Sequence, residues 1–125
     1  MKKPIVLVID DEIKVTEMIS DLSENIDVLA AANFEDAVNI ISSVELAAIA
    51  CDHFLPNGKT SFDLIRFIQS ENKCIPLAVM SGGDPPDYSV EEKHEVLKFF
   101  KKPFKLTDLL GWFSEIISMQ KGEPL

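Results

Sequence analysis

Residues 46–56, LAAIACDHFLP, decide how this chain is read. The run is uncharged from Leu46 to Cys51, like a strand covered on both faces of a sheet, and it ends abruptly in the carboxylate of Asp52. An acid at a strand exit is commonly a turn or cap residue, so its meaning depends on what else reaches the same place. Residues 5–9, IVLVI, form a second apolar run, and Asp10, Asp11 and Glu12 follow it directly. If the two runs are neighbours in a parallel sheet, their acids converge at one edge, where a cation would relieve the repulsion. The expectation is a metal-dependent acidic site.

Composition narrows the classes that need considering. A length of 125 residues fits one domain, expected over 1–119 with a short polar tail at 120–125. The net charge of -9 argues against a nucleic-acid groove, which needs clustered Lys and Arg. A single focused Lys can still bind a small phosphate. The opening Met1-Lys2-Lys3 is followed by an apolar run that stops at Ile9 and then by acids, unlike a secretion signal. No segment approaches membrane-spanning length. Cys51 and Cys74 form no ligand or disulfide motif and read as reduced thiols of a cytoplasmic protein.

Along the chain, Val15, Met18, Ile19, Leu22 and Ile26 recur at helical spacing after the first acids. Residues 27–32 read as a short strand, and Asn33 with Asp36 as the cap of a helix whose stripe is Phe34, Ala37, Val38 and Ile41. Beyond Asp52, the turn formers Pro56, Asn57 and Gly58 lead to a helix over 61–71 with Phe62, Leu64, Ile65 and Ile68 inward. Residues 75–80 read as a strand, 81–86 as a loop, and Ser89 with Glu92 as the capping box of a short helix ending near Val96. A strand at 97–100 and a last helix with Leu106, Leu109, Leu110, Phe113 and Ile117 inward complete the chain. The alternation predicts a single doubly wound α/β domain, a five-stranded parallel sheet with five helices, whose functional crevice lies at the carboxyl ends of the strands.

Each unusual polar residue lies just past such an end: Asp10, Asp11 and Glu12 after the first strand, Asp52 after the third, Ser81 after the fourth, Lys102 after the fifth. Acids to hold a metal, a carboxylate to attack, and donors for phosphoryl oxygens are the set that phosphoryl transfer to a carboxylate requires. The segments IVLVIDDE (5–12), DHFLP (52–56), IPLAVMSGG (75–83) and FFKKPF (99–104) resemble, in order and spacing, those of response-regulator receiver domains, and the resemblance covers 4–119.

That resemblance implies a flavodoxin-like sheet of order 2-1-3-4-5. It implies that Asp52 accepts a phosphoryl group from a histidine kinase or phosphotransfer protein, and that Asp10, Asp11, Asp52 and the Phe54 backbone carbonyl hold Mg²⁺ or Mn²⁺. Ser81 would hydrogen-bond the phosphoryl oxygen, Lys102 would pair with it, and Phe99 would be the aromatic whose rotamer follows Ser81. The outcome would be a switch, not an enzyme, that changes binding to a downstream protein partner or a second copy through its fourth helix, fifth strand and fifth helix. Neither nucleic acid nor membrane enters this reading.

Departures from the family pattern mark what is particular here. The stretch NGKTS at 57–61 lacks the usual acid-glycine pair and is a residue longer, and Glu95 and Val96 replace small residues ahead of the fifth strand. In this family the second residue past the acceptor and the second past the hydroxyl tune phosphoryl lifetime. These are Phe54 and Gly83, neither of which can orient an attacking water, so slow self-dephosphorylation is expected. A phosphate-independent docking module is the alternative. An aspartyl phosphohydrolase would carry a second acid where Phe54 stands, and a flavin module would need a Ser/Thr/Gly-rich loop where the chain has three acids. His53 reads as an ordinary loop histidine facing away from Asp52. On the last helix Trp112, Ile116 and Met119 form a second apolar stripe, either a widened core face or an interface.

Overall fold

The computed structural model describes residues 3–22 and 24–122, apart from the side chains of residues 13–15, 21, 22 and 94. Five strands, β1 (Ile5–Ile9), β2 (Asp27–Ala31), β3 (Ala48–Asp52), β4 (Leu77–Ser81) and β5 (Val96–Lys101), pair in parallel in the order β2-β1-β3-β4-β5. Between and after them run α1 (Ile13–Leu22), α2 (Phe34–Ser43), α3 (Ser61–Ser70), α4 (Val90–Glu95) and α5 (Leu106–Gln120). The doubly wound architecture expected from the sequence is the one observed. β2 and β5 are the two edges, and β5 leaves Leu97, Lys98 and Lys101 exposed.

The two faces of the sheet bury different sizes of side chain. Strand alternation sends Leu7, Ile9, Ile49, Cys51, Leu77 and Val79 toward α2 and α3, where Ala37, Ile41, Leu64, Ile65 and Ile68 meet them. The opposite face presents Val6, Val8, Ala48, Ala50, Ala78 and Met80 to α1 and α5. Three alanines on that face leave room, and large side chains of α5 fill it: Phe113 is fully buried, and Trp112 and Ile116 keep only 7% and 9% of their exposure.

Of the two readings left open for the second stripe, this packing matches the widened core face for two of its three residues. Trp112 and Ile116 belong to the core, and of the three only Met119, 58% exposed, stands in solvent. On α1, Ile19 carries the burial while Met18 is 53% exposed, against the inward placement expected of it. The side chains of Val15 and Leu22 in the same stripe lie outside the described residues, as do residues 123–125 of the expected tail.

Local signals set the helix starts. Asn33 Oδ1 accepts from the backbone N–H of Asp36 at 2.8 Å, and Ser89 with Glu92 forms the expected capping box. The NGKTS segment resolves as a single 3-10 turn, Pro56–Gly58, in which Asn57 (φ 63) and Gly58 (φ 75) adopt the left-handed backbone that Asn and Gly tolerate best. The chain then folds back so that Thr60 bridges antiparallel to Phe54 and caps α3 through a box with Asp63. The loop is thus closed on itself. No described helix is long and apolar enough to cross a membrane.

Phe113→Ala should destabilise the domain by about 3–5 kcal/mol in urea unfolding, whereas Met119→Ala should change it by less than about 0.5 kcal/mol.

Candidate functional site

By strand alternation Asp10 follows Val6 and Val8, and Asp52 follows Ala48 and Ala50, so both carboxylates emerge on the α1/α5 side of the sheet. The register sets Ile9 beside Cys51, which brings the two exits level. One carboxylate oxygen from each of Asp10, Asp11 and Asp52 lies within 4.8 Å of the others. Asp10 and Asp52 are buried, and Asp11 is exposed.

Lys102 arrives from the end of β5, its backbone N–H donating to the Ser81 carbonyl at 2.8 Å. Its Nζ stands 2.7 Å from Asp52 Oδ1 and 3.3 Å from Asp10 Oδ2. The other Asp10 oxygen accepts from the backbone N–H of Glu12 at 2.8 Å. Ser81, buried at the end of β4, accepts on Oγ from the Gly83 N–H at 3.3 Å. Asp10, Asp11, Asp52 and Lys102, singled out from the sequence, therefore meet at one edge of the sheet, with Ser81 tied to them through the Lys102 backbone.

Burial pushes the Asp52 carboxyl up to about 7, and the neighbouring Asp10 charge adds to this against the opposing pull of Lys102. Burial draws the Lys102 ammonium down, but the two carboxylates together hold it above its ordinary value. The Lys102–Asp52 contact is close without being a well-aligned hydrogen bond: Asp52 Oδ1 is buried and has no hydrogen-bond partner. Lys102 pairs with two of the three clustered acids, and the buried Asp52 Oδ1 has no aligned donor. That donor set, all hard carboxylate oxygens, fits a divalent cation such as Mg²⁺.

The remaining residues are placed as follows. Phe99 is half-buried on β5 beside Val79, within the α2/α3 layer. Phe54 is 72% exposed, its ring set edge-on to His53 at 4.6 Å. Gly83 is exposed, and an added Cβ would meet nothing within 4 Å. Trp112, Ile116 and Met119 lie on α5 and take no part in the acidic cluster.

His53 requires a correction. It does face away from Asp52, but that direction leads into the α3 layer, so the residue is buried and not a loop surface group. Its Nδ1 lies 2.7 Å from Ser61 Oγ, which lies 2.7 Å from the Tyr88 hydroxyl. Burial pushes His53 down and Tyr88 up to about 12. A signal for this was present: a strand uncharged throughout has two interiors, so alternation past its end leads from one covered face to another.

The pH consequence of the raised Asp52 follows directly. The unfolded chain releases this proton near 3.8 and the native one near 7, so across that window the native state holds more protons and this residue's contribution to stability falls as pH rises. In metal-free buffer Asp52→Asn should be stabilised relative to the parent at pH 8 by on the order of 2 kcal/mol, with the difference vanishing toward pH 4, as read from urea midpoints.

No protein-family model matches the chain, and no curated protein matches it by sequence. Solved structures match it over nearly its whole length. The receiver domain of Francisella response regulator 1452 superposes with a TM-score of 0.82 at 22% identity, covering 94% of this chain and 99% of that one. The chemotaxis response regulator CheY4 of Vibrio cholerae does so at 0.76 and 23%, covering 92% and 99%. A CheY-like receiver domain protein from Methanospirillum hungatei gives 0.81 at 16%, covering 98% and 100%. The chain has the fold of response-regulator receiver domains, with the five-stranded order that fold carries.

Proposed function

We propose that this chain is a phosphoacceptor switch of a two-component phosphorelay, with Asp52 as acceptor and a histidine kinase or phosphotransfer protein as donor. The observation that carries the reading is the buried Asp52 carboxylate set between two further acids and the Lys102 ammonium at the carboxyl edge of a receiver-type sheet. An Asp52 oxygen forms the new O–P bond as the N–P bond of the donor's phosphohistidine breaks, and the electron pair leaves on the imidazole nitrogen. Asp10, Asp11, Asp52 and the Phe54 carbonyl would hold Mg²⁺ or Mn²⁺, which when bound offsets the negative charge shared by acids and phosphoryl group.

The chain's own groups supply the rest. The Lys102 ammonium, now on Asp52 and Asp10, would pair with a phosphoryl oxygen, and the Ser81 hydroxyl would turn from its Gly83 contact to donate to another. These contacts exist only in the phosphorylated form, so they bias one conformation over the other. Phe99, half-buried on β5, would rearrange with Ser81 and alter the face of α4, β5 and α5 that a downstream protein partner or a second copy reads.

Mass spectrometry after incubation with acetyl phosphate and Mg²⁺ should show one added phosphoryl group, absent in Asp52→Ala. Failure to add it would leave a phosphate-independent docking module as the reading, and addition that survives Asp52→Ala would remove Asp52 as acceptor. The exposed Phe54 and side-chain-free Gly83 offer no group to orient water, so Phe54→Asn should shorten the phosphoryl lifetime several-fold. An unchanged decay rate would remove Phe54 from that role.

A further inference from the structure

His53 sits between Asp52 and Phe54, while Tyr88 sits in the loop between Ser81 and the α4 cap Ser89. Ser61, the first residue of α3, joins them: its fully buried Oγ is 2.7 Å from His53 Nδ1 and 2.7 Å from the Tyr88 hydroxyl. Backbone bonds fix the same point, since the Ser61 N–H donates to the His53 carbonyl at 2.8 Å and the His53 N–H donates to the Met80 carbonyl at 2.8 Å. Rings close around the chain, with Phe62 centred 5.3 Å from His53 and 5.0 Å from Tyr88.

The β4–α4 loop has little else to hold it. Residues 82–87 are exposed or half-exposed, and Asp84 makes only an exposed ion pair with Lys101. Tyr88 is the buried anchor from which the short helix α4 starts. A shift of either loop that parted Tyr88 from Ser61 would take from the buried Tyr88 hydroxyl its partner and leave Ser61 Oγ only His53, so the two loops are held to move together.

We propose that His53, Ser61 and Tyr88 form a positioning relay that couples the β3–α3 loop beside Asp52 to the β4–α4 loop and the start of α4, on a route separate from Ser81 and Phe99. The signal it carries rests on the phosphoacceptor reading, but the coupling is a property of the free protein. Its surface end is Phe54, whose exposed ring rides on His53.

The test uses the full chain and two variants, Tyr88→Phe, which keeps the ring and loses the hydroxyl, and Ser61→Ala. In the free protein, Tyr88→Phe should move the His53 ring nitrogen resonances and speed amide exchange at Leu55 and Ser61 by about tenfold. Ser61→Ala should do the same at Tyr88. Loosening confined to each variant's own loop overturns the relay. With Mg²⁺ and beryllofluoride as phosphoryl mimic, the parent should show shifts at Phe54, Gly82 and the first turn of α4, and Tyr88→Phe should keep the first two while losing most of the third. A full α4 response in Tyr88→Phe overturns the relay as well. A parent protein with no response at Phe54 or Gly82 refutes the phosphoacceptor reading instead, and the free-protein arm still decides the coupling.

Discussion

The Lys102 ammonium stands between two buried carboxylates, 2.7 Å from Asp52 and 3.3 Å from Asp10, and the edge of the sheet is arranged by that contact. Its members come from the ends of β1, β3 and β5, so the contact exists only when those strands are aligned in the observed order. β4 lies between β3 and β5, and Lys102 spans it by hanging its backbone on the Ser81 carbonyl. One positive charge among three acids leaves negative charge in excess, and burial raises the Asp52 carboxyl accordingly. The site therefore carries excess negative charge, which a bound cation would offset.

Asp52 also marks the border between two kinds of polar network. On the α1/α5 side it is tied to charges, and on the α3 side its neighbour His53 is tied to neutral hydroxyls. Both depend on the alternation of a single strand whose faces are each covered by helices. Moving the strand end by one residue would exchange the two environments.

Much of this was legible in the residues. Apolar runs ending in acid located β1 and β3, and Asn33 and Ser89 cap helices where their side-chain chemistry placed them. The convergence of Asp10, Asp11, Asp52 and Lys102 followed from their common place past strand ends. What escaped was set by volume and by neighbours distant in sequence. Trp112 and Ile116, left open between core and interface, are interior because Ala48, Ala50 and Ala78 leave space opposite them, a complementarity that the helix stripe alone does not decide. Met18 is outside while the next residue, Ile19, meets the sheet, a choice between adjacent apolar residues that helical spacing does not make. His53 was misread because alternation gives a direction but not what lies there, and Ser61 and Tyr88 reach it from far along the chain.

The exposed lysines of β5 bear on how far the sheet can grow. An open edge offers unpaired backbone groups to any extended segment, and ammonium groups along it discourage such pairing. Lys98 and Lys101 stand in solvent on that strand, and Lys101 already engages the loop residue Asp84. Association by strand addition at this edge would crowd like charges from two copies, so on the β5 side it is the flanking helices and loops on which copies or partners can meet without prolonging the sheet.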